Sequence, residues 1–166
     1  MSGSRHIHGF GARLRGACRD GLLVLAVALA ASPAHALDAG RLLSAAKQLG
    51  PGAIKPAQAL LISIERLAKL EEAQRIAAVN DYINAHIEFY TDQEVWQRDD
   101  YWASPLESLM KGRGDCEDYA IAKYFSLFAT GVPEARLRMV YVRATLDGRP
   151  QAHMVLAYYE QADAQP

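Results

Sequence analysis

Cys116 is the residue whose position in the sequence most clearly favours chemistry. Two glycines interrupt the chain just before it, and residues 115–130 have the pattern of a helix. Asp115 suits the N-cap of that helix, and Asp118, three residues later, completes a capping box. A cysteine in the first turn faces unpaired backbone N–H groups and the positive end of the helix dipole, which favour a thiolate. The position therefore predicts a reactive thiol, with a buried and inert cysteine as the alternative.

A histidine that could act as the base lies later in the chain, at His153. Residues 137–142 and 152–159 have the alternating pattern of strands, and Asp147-Gly148 between them is a hairpin turn signal. Thiol proteases and acyl transferases use a cysteine and a histidine from separate elements. The imidazole accepts the thiol proton and then protonates the leaving amine. A purely structural histidine is the alternative.

The first 36 residues predict a secretory signal peptide. Four arginines precede an uninterrupted apolar run at residues 22–31, and Ala34-His35-Ala36 has small residues at the two positions that signal peptidase inspects. A bilayer span needs about 20 apolar residues, so this run is too short to cross the membrane. We expect residues 1–36 to be removed after Ala36 and the protein to be periplasmic, with an uncleaved membrane anchor as the alternative.

The remaining residues, 37–166, have the composition of one globular domain. The whole chain is 51% hydrophobic and 22% charged, and without its arginine-rich N-terminal segment it is mildly acidic. That charge gives no sign of a nucleic-acid partner. Cys18 would leave with the signal peptide, so Cys116 would have no disulfide partner in an oxidising compartment, which again favours a reactive role.

Helices are predicted for the first half of this domain. Residues 37–49 predict a short helix closed by a Gly-Pro-Gly break at residues 50–52. The apolar spacing over residues 57–88 predicts two helices or one long bent helix. His86, which lies on this stretch, we interpret as structural or exposed to solvent.

An acidic and aromatic loop at residues 90–102 leads towards the cysteine. It contains Trp96, Tyr101 and Trp102, and it predicts either the wall of a substrate groove or ordinary core packing. The Ser-Pro-Leu-Glu sequence after the loop is typical of a helix start, and this short helix should end at Gly112.

Three segments of the chain resemble bacterial transglutaminase-like cysteine peptidases. They are DYWASP at residues 100–105, GDCEDYAIAKY at 114–124 and HMVLAYY at 153–159. The best-known members of that family are periplasmic LapG-type proteases, which cut large adhesins from the cell surface. The resemblance covers residues 73–166. It implies an α+β fold of the papain/transglutaminase type, in which a helical N-terminal half packs on an antiparallel sheet.

The resemblance also implies roles for individual residues. Cys116 matches the family nucleophile and His153 its general base, while Asp115 and Glu117 match acidic residues associated with binding of Ca²⁺, the implied cofactor.

The family's third catalytic residue is an aspartate on a further strand. We expect that strand, and with it the C-terminal end of the domain, to lie beyond Pro166. Asp163 and Glu160 are the only acids near the expected position, and neither is assigned to the triad.

These observations predict a calcium-dependent periplasmic cysteine endopeptidase that cleaves a large surface adhesin or a similar protein. The family implies an inner-membrane receptor controlled by cyclic di-GMP as a second partner. Two alternatives stay open. In the first, transglutaminase-type acyl transfer, a lysine amine replaces water as the acceptor. In the second, the protein is a non-catalytic binding module.

Overall fold

The computed structural model describes residues 38–146 and 148–164, which form a helical part followed by a β-hairpin. The helices are α1 (Ala39–Leu49), α2 (Pro51–Leu67), α3 (Glu72–His86), α4 (Asp92–Val95), α5 (Pro105–Lys111) and α6 (Cys116–Ala129). The strands are β1 (Glu88–Phe89), β2 (Arg113–Gly114), β3 (Leu137–Leu146) and β4 (Arg149–Tyr158). The predicted α+β class is confirmed. The expected signal peptide lies outside the described residues, and within them no helix is both long and apolar enough to cross a membrane.

Gly50 alone separates α1 from α2. Its φ of 117° is accessible mainly to glycine, so the chain can reverse there without strain. Pro51 then occupies the first turn of α2, where its missing N–H costs nothing, and Pro56 lies within the same helix. The predicted break at residues 50–52 was therefore too long, because its last two residues already belong to α2.

The main hydrophobic core lies between α2, α3 and α6. Of the two alternatives predicted for residues 57–88, two separate helices are present and not one long bent helix, and a tight turn joins α2 to α3. Arg75 closes that turn with hydrogen bonds from Nη2 to the carbonyl oxygens of Ala68 (3.2 Å) and Leu70 (2.8 Å). The buried apolar side chains that the three helices contribute to this core are Leu60, Ile64, Leu67, Val79, Ile83, Ala122, Leu127 and Ala129. This core holds α6, and hence the cysteine at its start, in a set position.

A pair of two-residue parallel strands, β1 and β2, was not predicted from the sequence. The N–H of Glu88 donates to the carbonyl of Gly112 at 2.9 Å, and the N–H of Tyr90 donates to that of Gly114 at 3.0 Å. The Tyr119 hydroxyl, one turn into α6, adds a hydrogen bond to the Ile87 carbonyl. Together these bonds tie the loop before the cysteine to the end of α3.

The hairpin packs against α6 and supplies the histidine. β3 and β4 pair antiparallel, with Val142 opposite His153 and Tyr141 opposite Met154. Met154 is 4% exposed, and Leu156 packs against the main core. The hairpin thereby places residue 153 beside the first turn of α6.

Candidate active site

The thiol of Cys116 is half-buried in the first turn of α6. Its S–H donates to Oε2 of the adjacent Glu117 at 3.0 Å. Burial, this hydrogen bond and the charges of Glu117 and Asp115 raise the pKa of the thiol to about 11. The backbone N–H of Met154 acts in the opposite direction and lowers the pKa. Burial and the two acids therefore oppose the thiolate that the helix start was expected to favour.

Cys116 and His153 open into the same cavity, which has a volume of about 380 Å³. The thiol comes from a helix and the imidazole from the hairpin, in the arrangement that their sequence spacing suggested. Most of the other lining residues are apolar or aromatic: Ile76, Val79, Phe89, Tyr119, Ala120 and Leu127. Both the thiol and the imidazole are therefore reached from one cavity.

A cluster of acidic side chains lies next to the thiol. Carboxylate oxygens of Asp92, Asp115 and Asp118 lie within 4.8 Å of one another, and those of Asp92, Asp100 and Glu117 do the same. Asp92, Glu117 and Asp118 are buried, with exposed fractions of 4%, 7% and 0%. Among these residues, only Asp115 and Glu117 were predicted as metal ligands, from the resemblance.

The crowding of these acids changes their pKa values. Burial, a hydrogen bond with Glu117 and repulsion from the neighbouring carboxylates raise the pKa of Asp115 to about 8. Burial raises the pKa of Asp118 to about 6, and it also raises the pKa of Asp92. Burial acts in the same sense on Glu117, but hydrogen bonds from Cys116, its own backbone N–H and Asp115 lower its pKa overall. The cluster therefore resists full ionisation in the absence of a cation.

Two carboxylate oxygens in the cluster have no hydrogen-bond partner. They are Oδ1 of Asp92 and Oδ1 of Asp115, and both are buried. The other oxygen of Asp92 accepts the backbone N–H of Tyr101. A buried acceptor without a donor is costly, and a bound cation would satisfy both atoms. The donor set consists of carboxylate oxygens, the ligands that Ca²⁺ prefers, so the residues present fit a calcium ion.

Asp118 connects this cluster to the start of α6. Its Oδ1 accepts the backbone N–H of Ala103 at 2.9 Å, and its Oδ2 accepts that of Asp115 at 3.4 Å. The second bond is part of the predicted capping box, which is confirmed. Gly114 packs directly against the carboxylate, since a Cβ at that position would lie 2.6 Å from Oδ2. The geometry of the first turn thus depends on a residue that the sequence identified only as a cap.

The sequence matches the family model for bacterial transglutaminase-like cysteine proteinases over residues 60–162, more than half of the chain. The protein belongs to this family. Its members are cysteine peptidases with a transglutaminase-like fold, which confirms the enzyme class and the fold inferred from the resemblance. No protein of curated function matches the chain.

Solved structures of Legionella pneumophila LapG have the same fold. One is 36% identical, with a TM-score of 0.63, and the match covers 80% of this chain and 72% of that chain. An EGTA-treated LapG structure gives the same identity and TM-score over 70% of its own chain. A calcium-bound LapG structure is 35% identical, with a TM-score of 0.63 over 75% of this chain and 67% of that chain. The chain is therefore similar to LapG-type proteases.

The aromatic loop at residues 90–102 does not line the cavity that contains the Cys116 thiol. Trp96 packs against Tyr101, with ring centroids 4.6 Å apart, and the Lys111 amine lies 5.1 Å from the Trp96 ring. Trp102 lines a separate cavity of about 770 Å³. Of the two interpretations offered by the sequence, packing describes Trp96 and Tyr101, and none of the three aromatic side chains walls the groove at Cys116.

The other candidate histidine and the C-terminal acids lie outside the site. His86 is exposed, bonds through Nδ1 to the Tyr82 carbonyl at 2.7 Å and stacks on the Tyr82 ring, as expected for a structural residue. Glu160 and Asp163 are exposed at the C-terminal end of the described chain. Within residues 38–146 and 148–164, no carboxylate forms a hydrogen bond or ion pair with the His153 side chain. Glu117 is the acid whose pKa His153 lowers.

Proposed function

We propose that this peptidase is a calcium-dependent periplasmic cysteine endopeptidase that cleaves a large surface adhesin. The observation that carries the proposal is the shared cavity of Cys116 and His153, placed beside an acidic cluster with two unpartnered carboxylate oxygens. The cavity supplies a nucleophile and a base, and the cluster supplies hard oxygen ligands.

In the proposed reaction, the sulfur of Cys116 attacks the scissile carbonyl carbon and forms an acyl-enzyme. His153 takes the thiol proton and delivers it to the leaving nitrogen. The C–N bond then breaks with release of a neutral amine, and no amide anion forms. Water then attacks the thioester with His153 as the base, which releases the acid product and restores the thiol. The backbone N–H of Cys116 lies at the helix start, where it can stabilise the oxyanion.

Calcium would be held by Asp115 and Glu117, with Asp92 and Asp118 as further carboxylate ligands. A bound divalent cation supplies positive charge that offsets the repulsion among these acids and fixes the start of α6. The calcium-bound LapG structure supports this proposal for the present chain.

The substrate, the location and the second partner are inferred from sequence. Three features of the N-terminal segment support export and cleavage after Ala36. They are its arginines, its apolar run at residues 22–31 and the small residues before position 37. Resemblance to LapG-type proteases supports a large adhesin as substrate and an inner-membrane receptor controlled by cyclic di-GMP as regulator. Cell fractionation and N-terminal sequencing test the location, since the mature protein should be periplasmic and begin at Leu37.

The activity is tested by adding the purified protein to cells of its own source that lack it. New protein N-termini released into the medium are then identified by mass spectrometry. Cleavage of a surface protein should require added Ca²⁺, stop with EGTA and be absent with Cys116→Ala or His153→Ala. The conservative Glu65→Gln, at an exposed position on α2, is the matched control and should cleave normally.

Three results would contradict the proposal in whole or in part. If a labelled primary amine is incorporated into surface proteins and no cleavage occurs, the activity is acyl transfer. If Cys116 reacts with iodoacetamide no faster than free cysteine in the presence of Ca²⁺, and nothing is cleaved, the protein is a binding module. Cleavage that persists in EGTA and in Asp115→Asn would remove the calcium requirement alone.

A further inference from the structure

Lys123 places a cation in the wall of the cavity that contains Cys116 and His153. It follows Cys116 by seven residues on α6, so the two side chains lie on the same side of the helix after two turns. Seven residues advance about 10 Å along a helix axis. The Lys123 stem points back towards the helix start, because side chains tilt towards the N-terminus.

No acid neutralises this cation within the described part of the chain. The ion pairs found in residues 38–146 and 148–164 join Arg41 to Asp38 and Arg136 to Glu72. Burial lowers the pKa of Lys123, and no nearby carboxylate opposes that change. The ammonium lies 5.3 Å from the centre of the Tyr119 ring, a contact that orients it without cancelling its charge.

A half-buried ammonium that has lost part of its hydration and has no ion-pair partner can gain from a ligand that supplies negative charge. The rest of the cavity wall is largely apolar. Apart from Lys123 and Cys116, its polar side chains are those of Asn80, the two tyrosines and His153. The five acids near the thiol do not pair with Lys123, so they do not fill this role. A ligand that carries a negative charge into the cavity would therefore find an unpaired cation at Lys123.

We propose that Lys123 binds a carboxylate side chain of the substrate, an aspartate or glutamate two or three residues from the scissile bond. An extended peptide advances about 3.3 Å per residue, so the span of about 10 Å between Cys116 and Lys123 corresponds to about three residues. The backward reach of the lysine side chain shortens this to two or three. The inference rests on the proposed peptidase activity and adds a substrate class to it.

The test uses four acetylated peptidyl chloromethyl ketones built on alanine. Two carry glutamate, at the second or the third position from the reactive ketone, and two carry glutamine at the same positions. Alkylation forms a C–S bond to Cys116, breaks the C–Cl bond and releases chloride and the thiol proton. The rate constant is measured by mass spectrometry of the Cys116 peptide, in the presence of Ca²⁺.

Wild-type protein should react with one glutamate probe roughly tenfold faster than with its glutamine counterpart, the effect of one charge-assisted hydrogen bond. Lys123→Met should lose that preference and keep its rate with the glutamine probe, which also shows that the variant is folded. Lys123→Arg should restore it. Lys69→Met removes an exposed lysine outside the cavity and should behave as wild type.

Other outcomes overturn the inference in distinguishable ways. Equal rates for glutamate and glutamine probes in wild-type protein, or a preference that survives in Lys123→Met, would refute the role of Lys123 and leave the peptidase proposal intact. Failure of all four probes to label Cys116 would refute both, because the nucleophile itself would be absent.

Discussion

Replacement of Asp118 separates two opposing effects of one buried carboxylate. The side chain is fully buried and accepts the N–H of Ala103 at 2.9 Å, and Ala103 is itself buried. It also brings a negative charge into a crowded acidic cluster. Burial raises the pKa of the Asp118 carboxyl to about 6. Asp118→Asn removes the charge and keeps the carbonyl oxygen that can accept from Ala103. Asp118→Ala removes both.

Both variants have lost the charge and the oxygen that accepts the Asp115 N–H, so they differ in the hydrogen bond to Ala103 and in the cavity left by the shorter alanine side chain. A buried N–H left without an acceptor costs about 1–3 kcal/mol, so Asp118→Ala should be less stable than Asp118→Asn by at least that amount. The difference between wild type and Asp118→Asn depends on pH. Because the folded pKa is raised above the unfolded value of about 3.9, ionisation destabilises the folded state as the pH rises through this range.

We expect Asp118→Asn and wild type to be nearly equally stable near pH 4. Above about pH 6 the asparagine variant should be more stable, by an amount that then stays constant. Urea unfolding followed by circular dichroism in EGTA measures both differences. The reasoning fails if the two variants unfold at the same urea concentration, or if the stability of Asp118→Asn relative to wild type does not change between pH 4 and pH 7.

Three further predictions concern the same region. Ca²⁺ at one hundred times its dissociation constant should raise the free energy of unfolding by about 2.7 kcal/mol. Asp92→Asn should reduce that gain at the same Ca²⁺ concentration. Gly114→Ala should lower the unfolding free energy by roughly 1–3 kcal/mol, because its Cβ would lie 2.7 Å from the Cβ of Asp118. Tyr119→Phe should cost about 1 kcal/mol, since the Ile87 carbonyl would lose its side-chain donor. A Ca²⁺ titration that leaves the Asp92→Asn midpoint identical to wild type would exclude that carboxylate as a ligand.

Features set by neighbouring residues were predictable from the sequence. The helix after Asp115, the Ser104 cap of α5 and the hairpin at residues 137–158 each follow from a cap, a proline or an alternating pattern within a few positions. The predicted helix and hairpin suggested the pairing of Cys116 with His153, and the resemblance to a known family then supported it.

Features that depend on packing between distant segments were missed. The β1–β2 pair has two residues in each strand, too few to produce a period. Asp92 joins the acidic cluster because α4 packs beside β2, directly before the start of α6, although Asp92 lies more than 20 residues before Cys116 in the sequence. The acidic character of residues 90–102 was visible in the sequence, but nothing in it showed which acid would be buried beside the thiol.

The order Asp-Cys-Glu at the start of a helix couples the nucleophile to the acidic cluster directly. Asp115 is the N-cap and Glu117 lies in the first turn. Both are covalent neighbours of Cys116, so the backbone itself keeps their carboxylates near the sulfur. Any ion that draws these two carboxylates together also changes the electrostatic field at the sulfur. The buried Asp118 side chain stabilises the same turn, because it accepts the backbone N–H groups of Ala103 and Asp115. The proposed metal ligands, the helix cap and the proposed nucleophile are therefore parts of one structural unit, and a change to any one of them should alter the other two.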